Sequence, residues 1–249
     1  MYRSGNPALS DSTFEGNHAA PLWDVDHTKM TIEGAAEKTA LLLFITAFTA
    51  IVTAMSMPES GFLIYFGAIG GFVLAMVIIF SNSCNSILIC LYAALEGFLI
   101  GGITWIYEIG LDIPGIGVTA ALLTFLILFA MLTVYRLGLI KWDENMRIAV
   151  TSALFAIVGI YLITFIGHFV GFEIPYIHGA GPIGIAFSLF VVLIASLCLA
   201  ADFDFIERGV LSGAPKQLEW RAAFGLMVTL IWLYLEILKL LAKIAISRR

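Results

Sequence analysis

Apolar residues in this chain come in long blocks, and the polar residues collect in the short gaps between them. The blocks cover about residues 39–57, 62–81, 87–107, 118–135, 148–172, 183–201 and 222–246. Each is close to the roughly 20 residues that an α-helix at 1.5 Å rise needs to cross a bilayer. The gaps carry turn chemistry: Pro58-Glu59-Ser60-Gly61 after the first block, Asn82 to Ser86 after the second, and Glu108 to Gly117 with Pro114 after the third. Arg136 to Arg147 forms a charged connector after the fourth, and the fifth ends near Glu173, Pro175 and His178. Thr31 is placed to cap the first helix, with Glu33 in its positive first turn. Helical character is expected to continue past the sixth apolar block through Asp202, Asp204, Glu207 and Arg208, because nothing breaks it before Gly209 or Gly213. Ala214-Pro215 then restarts a helix. The pattern predicts an all-α, polytopic membrane protein: a seven-transmembrane-helix bundle over 31–249 as a single membrane domain, preceded by a mobile tail over 1–30.

Composition agrees with a lipid solvent. Hydrophobic residues make up 61% of the 249 and charged residues 12%, and the mean hydropathy is +1.00, far from the balance of a water-soluble domain. A net charge of −5 with 13 Lys+Arg leaves no basic surface for nucleic acid, whose phosphates dominate such affinity. Cys84, Cys90 and Cys198 form no CxxC or metal-ligand pattern and read as apolar fillers. The tail lacks the basic-then-apolar order of a signal peptide and is expected to stay on the protein.

Basic residues orient the bundle. With the tail cytoplasmic, that side holds Arg3, Lys29, Lys38, Arg136, Lys141, Arg147, Arg208, Lys216 and Arg221, while the outer loops hold no Lys or Arg. Seven full spans would then put Arg248 and Arg249 outside, so the last segment either crosses against the rule or re-enters. Gly67-xxx-Gly71 and Gly97-xxx-Gly101 put small residues on one helix face, as close packing in lipid requires, and packing within the chain is expected over dimerisation.

Ionisable groups near bilayer depth are costly and need a partner, a proton or water. The candidates are Glu96 in the third span, Asp202 and Asp204 at the inner end of the sixth, and Glu236 with Lys239 in the seventh. Carboxylates on adjacent helices that approach one another cannot both ionise freely, so Asp202 and Glu236 could bind a proton or an oxygen-seeking cation such as Ca²⁺, in competition. The plainer alternatives stay open: Asp202 as an interfacial acid capping its helix, and Glu236 in a local ion pair with Lys239 at i+3. Asp204 with Arg208 at i,i+4 reads as a surface pair, and Glu96, beside Gly97, as packing glue or pathway lining. His168, Glu173 and His178 match no metal-ligand spacing, and no GxSxG, HExxH, P-loop or dinucleotide fingerprint supports an enzyme.

The stretches Ala201-Asp202-Phe203-Asp204-Phe205-Ile206-Glu207 and Leu233-Tyr234-Leu235-Glu236-Ile237-Leu238-Lys239-Leu240-Leu241 resemble elements of the Bax inhibitor family, including its bacterial, YccA-like branch. That family ends its sixth helix on (Y/F)-D-x-x-x-I and carries L-Y-L-D-x-I-N-L-F in its seventh. Asp202 and Glu236 fall on the two aspartates. The resemblance implies a pH-sensitive calcium leak of the cell inner (plasma) membrane, gated by this carboxylate pair, with the last helix central and the N-terminus cytoplasmic. It implies no catalytic residue and no cofactor beyond Ca²⁺ as the transported or bound ion, with Asp202 and Glu236 as its ligands and lipid, Ca²⁺ and protons as partners. The alternative is a membrane-embedded regulator that binds another membrane protein, such as a quality-control protease. The chain departs from the pattern in three ways: Glu replaces the second Asp, Lys239 stands at the Asn position, and the connector between the acids is longer. A bacterial member also pairs its acids with an arginine near the inner end of the second helix. Here no Arg or Lys lies between Lys38 and Arg136, which leaves Lys239 as the candidate substitute.

Overall fold

The computed structural model describes residues 29–57, 59, 61–140, 142–171, 177 and 179–248. Residues 1–28 of the expected tail, and Lys141, Glu173, Pro175 and His178, lie outside the described residues. The described residues form seven long helices: α1 (Ile32–Ser56), α2 (Phe62–Phe80), α3 (Ser86–Trp105), α4 (Ile116–Arg136), α5 (Glu144–Val170), α6 (Pro182–Leu211) and α7 (Leu218–Ser247). All seven are long and apolar enough to cross a membrane.

Side chains at the boundaries explain several of the starts. Thr31 accepts from the Gly34 amide at 2.9 Å, Asn85 from the Ile87 amide at 2.9 Å, and Asp143 from the Met146 amide at 2.8 Å. Each satisfies an amide that the first turn would leave without a partner. α3 runs on through a wider π turn, Ile106–Gly110. α1 begins seven residues before the apolar block, because its first two turns carry Glu33, Glu37 and Lys38. α6 continues through Asp202, Asp204, Glu207 and Arg208 to Leu211, as expected.

Contacts divide the chain into two compact units, one of residues up to Asp112 with Asp202–Val228, the other of Ile113–Ala201 with Thr229–Arg249. In the first, α3 packs against both α1 and α2. The glycine pairs make that approach possible. A Cβ on Gly67 would lie 2.6 Å from the Leu95 carbonyl oxygen and 2.7 Å from the Leu99 nitrogen. On the other side of α3, a Cβ on Gly97 would strike Thr49 and one on Gly101 the backbone of Ala50. Thr46 adds an interhelical hydrogen bond, its hydroxyl donating to the Ala93 carbonyl at 3.0 Å. The small residues therefore pack within the chain.

In the second unit, Val150 and Ile157 of α5 form a core with Val191, Ile194 and Cys198 of α6, and Trp232 of α7 packs against it. Lys243, near the end of α7, reaches Gly184 and Ser188 at the start of α6, so the two helices run antiparallel. α7 is one unbroken helix of 30 residues, about 45 Å long at 1.5 Å per residue, which is the length of a crossing rather than of a re-entrant segment. Large apolar side chains left exposed, among them Phe44, Phe66, Phe72, Phe129 and Phe155, have the chemistry of a lipid-facing surface.

Gly101→Leu is expected to destabilise the fold by about 1–3 kcal/mol, the usual cost of overpacking, because the obstacle is backbone. Gly159→Ala, where nothing lies within 4 Å, should leave stability unchanged or slightly raised. Unfolding midpoints in detergent check the pair.

Candidate functional site

α7 carries five ionisable residues, Glu219, Arg221, Glu236, Lys239 and Lys243. Lipid offers such groups nothing, so each has to be met by protein.

At the start of the helix, Glu219 is fully buried. Its carboxylate accepts from the Thr31 amide at 2.9 Å and the Thr31 hydroxyl at 3.1 Å, and forms an ion pair with Lys38. A side chain on Gly34 would occupy the space the carboxylate takes. The ammonium of Lys38 also lies 5.5 Å from the centre of the Trp220 ring. Just ahead of this contact, the Met30 amide donates to the Ala214 carbonyl at 2.7 Å. Glu219 thus fastens the N-terminus of α1 to that of α7.

Arg221, two residues on, is also buried. Its guanidinium donates to the carbonyls of Ile78 and Ile79, the latter at 3.3 Å, and to the Asn82 side chain at 3.4 Å. Those carbonyls belong to the last turn of α2, where they accept from the Ser83 and Asn82 amides just past the helix end and the helix dipole is negative. α2 has no cation of its own; α7 supplies one. The cation expected from sequence to meet the acids in place of that arginine was Lys239, which does pair with Glu236; Arg221 serves the end of α2. Sequence reasoning counted Arg221 only as an inner-loop charge and passed over Glu219. The available signal was two charges of opposite sign in the first turn of the helix, directly ahead of a long apolar run.

Among the acids singled out from sequence, Asp202 has no solvent exposure and lies on α6 in the first unit, beside buried Phe203. That enclosure separates it from an interfacial acid facing headgroups. Asp204 pairs with Arg208 one turn on, as the spacing predicts. Glu96 faces α2, where a Cβ on Gly71 would be 3.1 Å from its carboxylate, and it accepts a hydrogen bond from Tyr92.

Glu236 lies in the second unit. It is 1% exposed. The Tyr161 hydroxyl of α5 lies 2.9 and 3.0 Å from its two oxygens. The Trp232 indole N–H donates at 3.3 Å, and the Lys239 ammonium at 2.9 Å. That ammonium also stands 5.0 Å from the centre of the Tyr161 ring. The i,i+3 ion pair allowed by the sequence therefore forms. Lys243, one turn on, donates to the Ile177 carbonyl at 2.8 Å, the Gly184 carbonyl at 3.1 Å and the Ser188 hydroxyl at 2.8 Å. Chemically, Glu236 is a carboxylate fixed by hydrogen-bond donors with one cation at hand. Among the described residues no group of three or more His, Cys, Asp or Glu side chains gathers as a metal site.

Seven apolar helices with enclosed charges on the last two define a multi-pass helical membrane protein. The family described as Bax inhibitor 1 like matches residues 6–246, nearly the whole chain, and the chain belongs to it. No curated protein and no solved structure matches it.

Removing the cation that α7 lends to α2 should be costly. Arg221→Met is expected to lower stability by about 1.5–3 kcal/mol, the range for hydrogen bonds to a charged group. Arg248→Met, at an exposed position, should stay within about 0.5 kcal/mol of the parent. Denaturant titration in detergent compares them.

Proposed function

We propose that the chain is a pH-sensitive leak that lets Ca²⁺ pass down its gradient across the cell inner (plasma) membrane, with the N-terminus cytoplasmic. Asp202 and Glu236 are the acids that act on the ion. The observation that carries this reading is the enclosure of both carboxylates, at 0% and 1% exposure, on helices otherwise built for lipid. Family membership supports it, as does the resemblance of the stretches around Asp202 and Glu236 to the family's last two helical elements. The orientation is supported by the loops between the spans, since those on one side carry Lys and Arg and those on the other carry none, with Arg248 and Arg249 after the last span running against it.

Carboxylate oxygens suit Ca²⁺, and protons compete for the same oxygens. Acidification therefore reduces occupancy by the ion and makes passage depend on pH. No cofactor and no catalytic step enter this reading.

Vesicles containing the purified protein and a Ca²⁺ dye test it. Influx should exceed that of empty vesicles and change with pH. Asp202→Asn and Glu236→Gln should each reduce it about tenfold, equivalent to ~1.4 kcal/mol, and flatten its pH dependence. Equal influx in the parent and both variants at every pH would remove these acids from the pathway. Influx no greater than in empty vesicles would end the leak reading in favour of a regulator that binds another membrane protein.

A further inference from the structure

The carboxylate of Glu236 already has a cation beside it, and the chain provides that cation itself. We infer that Lys239 is a tethered placeholder at Glu236, and that a divalent cation from solution binds this carboxylate by displacing the Lys239 ammonium. The inference rests on the reading of Glu236 as an acid that meets the ion, and it specifies how access to that acid is controlled.

The two ends of the ion pair are held very differently. Glu236 has 1% of its side chain exposed and Lys239 has 41%. The carboxylate is gripped by Tyr161 and Trp232, whereas the ammonium sits on a flexible four-carbon stem and is far less enclosed by protein. When the pair separates, the lysine is the partner able to move. Its second hold, over the Tyr161 ring at 5.0 Å, is a weak one by the usual scale of such contacts, about 0.5–1 kcal/mol at exposed sites.

What remains after the lysine leaves is suited to a cation. Tyr161 and Trp232 keep the carboxylate oriented, and both of its oxygens can then face one ion. The Tyr161 hydroxyl, while still donating its proton to the carboxylate, also has lone pairs that an ion beside it can meet. Waters complete the coordination, as hard cations require more oxygens than one carboxylate supplies. Lys243 does not take the place of Lys239, because its ammonium is engaged by Ile177, Gly184 and Ser188. Charge decides which ions succeed. A divalent ion competes against a single ammonium with twice its charge, whereas Na⁺ or K⁺ has no such advantage.

The position has a built-in reporter, since the Trp232 indole donates to the same carboxylate and its emission should respond when an ion arrives. Ca²⁺ is titrated into the full-length protein in lipid nanodiscs while tryptophan fluorescence is followed, with Trp232→Phe as the blank. Lys239→Met and the polar Lys239→Gln should each bind Ca²⁺ about tenfold more tightly than the parent, a gain of ~1.4 kcal/mol. Lys239→Arg should bind more weakly, because a guanidinium holds a carboxylate with two parallel hydrogen bonds. Glu236→Gln should abolish the response. Unchanged or weaker binding in both neutral variants, or no Ca²⁺ response in any variant, overturns the inference. Flux on the same preparations separates the two ideas. Tighter binding without flux removes the leak and keeps the placeholder; flux with unchanged binding does the reverse.

Discussion

A charge on a helix inside a bilayer has to find its partner in the protein, because hydrocarbon offers neither hydrogen bonds nor counter-ions. In this chain the demand falls hardest on α7, and the way it is met organises much of what surrounds that helix. In the first unit, Glu219 takes the start of α1 through Thr31 and Lys38, and Arg221 takes the end of α2 through the carbonyls of Ile78 and Ile79. In the second, Glu236 reaches α5 through Tyr161, and Lys243 reaches the start of α6. Each contact removes one unmet charge and fixes one neighbouring segment. α7 behaves as a polar spine in an apolar protein.

The same logic explains why the spine is tolerated. Burying an ion costs several kcal/mol, and the cost is recovered where geometry is good and the remaining lone pairs and protons are satisfied. The carboxylate of Glu219 meets three donors, and that of Glu236 meets donors from Tyr161, Trp232 and Lys239. α1 to α3 solve a different problem in a different way. They have few charges, and their closeness comes from glycine, with Gly67, Gly97 and Gly101 admitting backbone where a side chain would not fit.

What the sequence made legible was local. Apolar run lengths gave the seven helices, the Thr31 cap and the Asp204–Arg208 pair followed from short spacing, and the glycine stripes announced close packing. Helix ends were blurred, since hydropathy marks the lipid-facing stretch while α1 and α6 extend into polar turns. The partners of Glu219 and Arg221 were invisible, because they lie 188 and 143 residues away in the chain and no motif records such pairings. The cation expected to be missing from α2 is an instance of this: its absence was read correctly along the chain, and its supply from α7 appears only in three dimensions. The identity of the two acids came from motif resemblance, whereas the enclosure that makes them chemically unusual came from the fold.

For the proposed leak, the consequential member of the spine is Glu236, whose charge is balanced by a lysine three residues away that is far more exposed than the acid. With the two charges balanced in this way, neither residue can be neutralised alone without stranding the other. A double-mutant cycle on stability measures this directly, with Glu236→Gln, Lys239→Met and the double variant unfolded in the same detergent. The account predicts that the double variant costs less than the sum of the singles, with a coupling of about 1–3 kcal/mol. Costs that add to within about 0.5 kcal/mol would contradict it.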